Sequence, residues 1–362
     1  MKKQIYAILT ILWFGIVSGQ VKAQKPLTSG WGVNLYGGYL AAHHEYLQQL
    51  ESHTLGMEIR YTLARHPANI PWANQLRLPR SGVALLFVDQ GNPKLTGKAI
   101  ALIPHQEFRI YSFKSGSFYF RLGAGLAWLT KRYDAVENRK QIAIGAHVNP
   151  VMQFSFVWHQ RIFQKLETDF GIGLTHFSNG NFNLPNFGMN LPNIHLGLTR
   201  VDGYHQKTGR PPMPPATKTQ NLDISLNGAT KEEGVTSFTR YGIWGLSARY
   251  QRHQGRLSRI FAGGDFFIDN TYRHRSGEGR RLASTAEAGL TAGHRLRMGA
   301  VNLFTEVGVY VLRPDRIKAA WYQRIGLNYF LSDKYYAGVY LKTHLSQSDY
   351  VQFTIGRILN FK

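Results

Sequence analysis

The chain contains no cysteine in 362 residues. That excludes a disulfide framework, a cysteine-bearing zinc site and a thiol nucleophile. Charged residues are also scarce, at 18%, and only 21 of them are acidic against 43 basic. Beyond Gln24 no apolar run reaches the ~20 residues a membrane helix needs. A chain without such a run can still span a membrane as a closed β-barrel, in which every backbone polar group finds a partner on the next strand. What is abundant fits that alternative: 13% aromatic residues, among them 19 Tyr and 21 Phe, together with 37 Gly. Glycine with aromatics and few charges suits strands better than helices.

Residues 1–23 read as a secretory signal peptide. Lys2 and Lys3 precede an apolar run from Ile5 to Val17, and Val21-Lys22-Ala23 offers a small-residue cleavage site. The formal charge is +22, and +19 without Lys2, Lys3 and Lys22. A surplus of this size raises nucleic acid as a partner. The export signal and the scatter of basic residues through loops point instead to an anionic membrane surface, such as one rich in lipid phosphates.

Residues 24–362 carry segments of about ten residues with period-two alternation, separated by turns, which is the pattern of an outer-membrane barrel. Strands are expected near 31–40, 53–63, 81–89, 97–110, 117–129, 146–157, 165–178 and 191–200. Eight more are expected near 220–227, 239–250, 257–268, 283–295, 301–312, 318–330, 335–346 and 349–361. The expected fold is therefore all-β, a single-domain antiparallel transmembrane β-barrel of twelve to sixteen strands, with sixteen favoured. An even count returns both termini to the periplasm. Val201–Thr219, rich in proline and lysine, is then an unusually long periplasmic connector. A soluble periplasmic β-sandwich or barrel is the competing class.

One segment stands apart: Thr175-His176-Phe177-Ser178-Asn179-Gly180, continued by Asn181-Phe182-Asn183-Leu184-Pro185-Asn186-Phe187-Gly188-Met189-Asn190. On a strand, His176 and Ser178 share one face with Cα atoms ~6.5–7 Å apart. A basic nitrogen beside a hydroxyl is the minimum for nucleophilic acyl chemistry. Parity places the pair. The even positions Leu166, Phe170, Ile172 and Leu174 are apolar, and the odd positions Glu167 and Asp169 are charged. In a membrane barrel the apolar face meets lipid. His176 and Ser178 then lie on the lipid side, at the strand's outer end, where headgroups begin. The same alternation in 191–200, carried back, sets Asn190 outward beside His176.

H-F-S-N-G followed by P-N-x-G resembles the motif of the PagL-type lipid A 3-O-deacylases and the related acyloxyacyl-hydrolase outer-membrane proteins, in a longer, Bacteroidetes-type version. The resemblance implies a carboxylic ester hydrolase that takes an acyl chain from lipid A (lipopolysaccharide) without metal or other cofactor. It implies Ser178 as nucleophile, His176 as general base, and Asn179 with Gly180 at the oxyanion. The family's third member, a glutamate fourteen residues after the histidine, is Asn190 here. An amide can orient an imidazole by accepting its Nδ1–H, without offsetting the imidazolium charge.

Other residues carry weaker signals. Asn179-Gly180 also suits a turn. Pro185-Asn186 and Gly188 read first as loop punctuation, with a site role for Asn186 second. Arg132, Arg139 and Lys140 fall in an outer loop and could pair with lipid A phosphates. His43, His44 and His53 have no carboxylate at metal-ligand spacing and read as a solvated loop. A non-catalytic barrel, either a pore or a structural protein, remains the alternative function.

Overall fold

The computed structural model describes residues 28–64, 71–203, 219–234, 239–272, 284–314, 319–345 and 347–361. The expected signal peptide, 1–23, lies outside them, as do 204–218 of the long connector. Among the described residues there are sixteen strands, one in each expected segment. The first eight are β1 (Thr28–Leu40), β2 (Ser52–Ala64), β3 (Arg80–Asp89), β4 (Lys98–Ser112), β5 (Gly116–Leu129), β6 (Val148–Phe163), β7 (Leu166–Phe177) and β8 (Met189–Gly203). The second eight are β9 (Gln220–Glu232), β10 (Arg240–Gln254), β11 (Ser258–Asp269), β12 (Ala286–Met298), β13 (Val301–Leu312), β14 (Trp321–Phe330), β15 (Tyr335–His344) and β16 (Gln347–Asn360). Every pairing is antiparallel.

Closure differs from the single barrel expected. β8 returns to pair with β1, from Thr28↔Gly203 to Gly38↔Asn193, and β16 pairs with β9, so the chain forms two eight-stranded barrels. The connector that strained the single-barrel reading is the passage from one barrel to the next. Interior side chains explain the size. Eight strands leave a lumen that side chains can fill, whereas sixteen leave an aqueous channel. At the β1–β8 seam the fit is close: a Cβ on Gly197 would lie 1.9 Å from Asn34 Oδ1, so only glycine admits the Asn34 amide there.

In the first barrel the interior is layered. One end holds an apolar cluster that includes Leu40, Leu47, Leu86, Ile103, Phe177 and Met189. Below it is an ionic layer. Arg121 donates to both Glu58 oxygens at 2.8 and 3.0 Å, Arg60 pairs with Asp169, and His159 bridges Asp169 and Glu107. Buried charges persist only when paired in this way. The exterior is apolar: Val33, Leu35, Phe156, Ile172, Leu196 and Leu198 are all exposed. Aromatic residues mark one rim, with Trp31 4.9 Å from Tyr61 and Phe118 6.0 Å from Trp158. An apolar belt edged by aromatics is the lipid-facing wall of a membrane barrel.

The second barrel follows the same plan. Arg249 and Arg324 share Glu306 and Asp265, and Arg295 pairs with Asp223 at 2.7 Å. Its exterior carries exposed Leu226, Trp244, Leu290, Val309 and Ile355.

Candidate active site

The site stands at the end of the first barrel where loops 41–51, 90–97, 130–147 and 178–188 gather. These loops are laced together. Gly188 N–H donates to Ala143 O at 2.9 Å, Asn138 Nδ2 to Leu95 O at 3.0 Å, and Gln49 Nε2 to Lys140 O at 3.4 Å. The apolar cluster beneath them gives the loops a fixed floor.

β7 follows the expected parity. Glu167, Asp169, Thr175 and Phe177 are buried inside, while Phe170 and Ile172 are exposed outside. His176 is thus on the outer wall, and Asn190 on β8 is its cross-strand partner. His176 Nδ1 lies 2.6 Å from Asn190 Oδ1. Opposed residues of one antiparallel pair share a face, so the register alone brings imidazole and amide together.

Ser178 is placed differently from the strand geometry expected. β7 stops at Phe177, and Ser178 N–H donates to Pro150 O at 3.2 Å as the chain turns through Gly180 (φ 58°) and Asn181 (φ 61°). The period-two rule ends with the strand. The Ser178 hydroxyl therefore meets Asn186 rather than His176. Asn186 Oδ1 accepts the Asn179 N–H at 2.9 Å, which directs its Nδ2 to Ser178 Oγ, 3.0 Å away. Gly180 N–H faces the same oxygen at 3.4 Å.

Asn179 is buried and spent on the loop itself. Its Nδ2 donates to Asn183 O at 2.9 Å, and its Oδ1 accepts Asn183 N–H at 3.3 Å. With its backbone N–H held by Asn186, both donors are engaged, and Asn186 is the amide that faces the hydroxyl. Gly188 has a definite reason to be glycine: its φ is 80°, and a Cβ there would lie 2.8 Å from His176 Cε1. The P-N-x-G punctuation is thus the wall against which the imidazole rests.

Arg132, Arg139 and Lys140 lie in the β5–β6 loop at this same end. Arg139 and Lys140 are exposed, and Arg132 is half-buried with Nη1 3.3 Å from Tyr133 O. His43 sits in a solvated loop, as expected, but its ring has partners. It is exposed, but Nε2 is 2.9 Å from Phe187 O and Nδ1 is 3.1 Å from Asn190 Nδ2. Among the described residues no group of three or more metal-ligating side chains occurs.

On the outer wall just below the pair runs an apolar groove of about 570 Å³, lined by Gly37, Tyr39, Phe156, Ile172, Leu174 and Ile194 among others. Leu174 and Pro192, one outward step down from His176 and Asn190, face each other across the same two strands. Gly37 interrupts the outward row of Trp31, Val33, Leu35 and Tyr39, and a Cβ there would meet nothing within 4 Å.

Two family models match the chain. The family described as lipid A 3-O-deacylase (PagL) matches residues 20–199, and the acyloxyacyl hydrolase C-terminal domain matches residues 220–362. The chain belongs to the lipid A 3-O-deacylase (PagL) family. The two matched spans correspond to the two barrels, β1–β8 and β9–β16. Among solved structures, the outer membrane enzyme PagL is similar at 14% identity and a TM-score of 0.31, covering 46% of this chain and 97% of that one. OpdK, an outer membrane protein from Pseudomonas aeruginosa, is similar at 8% identity and a TM-score of 0.25, covering 92% and 98%. The toluene transporter TodX of P. putida is similar at 8% identity and a TM-score of 0.19, covering 94% and 91%. No curated protein matches the chain.

Proposed function

We propose that the protein is an outer-membrane esterase that removes an ester-linked acyl chain from lipid A, with its chemistry on the lipid-facing wall of the first barrel. The observation that carries this reading is the 2.6 Å contact between His176 Nδ1 and Asn190 Oδ1. The amide oxygen can only accept, so Nδ1 carries the proton and Nε2 keeps its lone pair. An imidazole held with Nε2 free is a general base.

The reaction is acyl transfer in two halves. Ser178 Oγ attacks the ester carbonyl carbon as its proton passes to His176 Nε2. The carbonyl electrons move onto oxygen, where Asn186 Nδ2 and Gly180 N–H, already facing Ser178 Oγ, are the nearest donors. The intermediate collapses, and the sugar oxygen leaves with the proton from His176. Water, deprotonated by His176, then attacks the acyl-serine carbonyl; the acyl–Oγ bond breaks, Ser178 Oγ takes the proton back from His176, and a fatty acid is released. Ser178 must rotate from Asn186 towards His176 as the ester arrives, since catalytic hydrogen bonds often tighten only with substrate bound.

Substrate geometry favours a membrane lipid. The apolar groove below His176 suits an acyl chain lying along the wall, and the Arg132, Arg139 and Lys140 loop suits headgroup phosphates above it. The pore alternative is weakened by lumens filled with paired side chains. Mass spectrometry of lipid A, from cells with and without the protein, tests the reading. Loss of one acyl chain is expected, and Ser178→Ala should abolish it. An unchanged acyl pattern, or full activity in that variant, overturns the mechanism.

A further inference from the structure

His43 closes a chain of hydrogen bonds that begins on a backbone carbonyl and ends on the base. Phe187 O, 2.9 Å from His43 Nε2, can only accept, so Nε2 carries a proton. With His43 neutral, its Nδ1 is then an acceptor. The Asn190 atom 3.1 Å from it must be the amide nitrogen. That turns Asn190 Oδ1 to His176, 2.6 Å from Nδ1, and leaves Nε2 as the basic atom. Each link in the order Phe187 O, His43, Asn190, His176 allows one orientation of the next. The ring is held for this by the backbone: Ala41 N–H donates to Asn190 O at 2.9 Å, two residues before His43.

We propose that His43 is a positioning residue for the esterase: it orients the Asn190 amide and so sets the reactive tautomer of His176. This rests on the esterase reading above. A carboxylate at position 190 would present two acceptors and need no such guide. An amide is two-faced, and turned over it would offer N–H to His176 Nδ1. The proton would then move to Nε2, and the base would be lost. The His43 contact is what excludes that orientation.

The experiment is a double-mutant cycle on the full-length protein in detergent micelles, at about pH 8, where histidine is neutral. Lipid A is the substrate. His43→Phe keeps a ring of similar size and removes both nitrogens. It is expected to lower kcat about tenfold or more, the cost of one lost orienting hydrogen bond, with KM within about twofold. In the Asn190→Asp background, where the side chain keeps its length but has two acceptor oxygens, the same substitution should change kcat by less than about threefold. Equal losses in both backgrounds, or no loss in either, overturn the assignment, since His43 would then only brace the loop.

A second readout does not need turnover. With ¹⁵N-labelled histidine, the His176 ring shifts report which nitrogen is protonated. The Nδ1–H form is expected in the native protein, with a mixture in His43→Phe. An unchanged His176 tautomer in His43→Phe refutes the role of His43 whether or not lipid A is the substrate. Absence of deacylation with the tautomer shift intact refutes the substrate reading alone.

Discussion

Gly188→Ala tests whether the imidazole is held against the loop as tightly as the geometry requires. The new Cβ would be 2.8 Å from His176 Cε1, about 0.9 Å inside a normal ~3.7 Å carbon–carbon contact. The residue cannot move away cheaply, because its φ of 80° costs a non-glycine residue ~1–2 kcal/mol and its N–H is tied to Ala143 O at 2.9 Å. The ring must therefore shift by close to 1 Å. His176 sits on the outer wall, so the barrel core is untouched. Its 2.6 Å bond to Asn190 is not. A 1 Å misplacement of a reacting group can cost ~10²-fold in rate. We expect Gly188→Ala to insert and fold normally and to lose about 10²-fold in kcat. Gly255→Ala in the β10–β11 turn is the control, since it carries similar backbone strain (φ 87°) and its Cβ meets nothing within 4 Å. The assay is initial-rate fatty acid release from lipid A in mixed micelles, with barrel content followed by circular dichroism. A kcat for Gly188→Ala within threefold of the native value refutes the reasoning.

Further expectations concern substrate, pH and stability. Gly37→Trp should fill the groove below the pair and raise KM for long-chain more than for short-chain esters; an equal change for both chain lengths would separate the groove from substrate binding. Acid should inhibit, because protonating His176 Nε2 removes the base; a kcat that does not fall towards acid pH would contradict that role. Glu58→Ala should destabilise the first barrel by about 3–5 kcal/mol, because it strands the fully buried Arg121 guanidinium. The urea midpoint of refolded protein measures this, and a shift worth under ~1 kcal/mol would show that the ionic layer relaxes.

The strands were legible because lipid and a filled lumen impose opposite demands on alternate residues. Phe170 and Ile172 face out, and Glu167 and Asp169 face in, and the sequence shows that contrast without any knowledge of neighbours. The same contrast placed His176 and Asn190 on one wall. Where the alternation stops, so does its power: Ser178 lies past the end of β7, and its contact with Asn186 comes from a turn that period two cannot describe. Closure was hidden for a different reason. A barrel strand reads alike whichever strand it pairs with, so nothing within β8 announces β1 as its neighbour. The only trace was the long Val201–Thr219 connector. The same closure is what brings His43 to the site. In a single sixteen-stranded barrel β1 would lie beside β16, and the loop after it would be remote from Asn190. Because β8 instead returns to β1, Ala41 bridges to Asn190 and His43 comes within 3.1 Å of its amide. The small barrel therefore does more than support the site. Its seam brings the His43 ring to the Asn190 amide, the contact on which the proposed orientation of His176 depends.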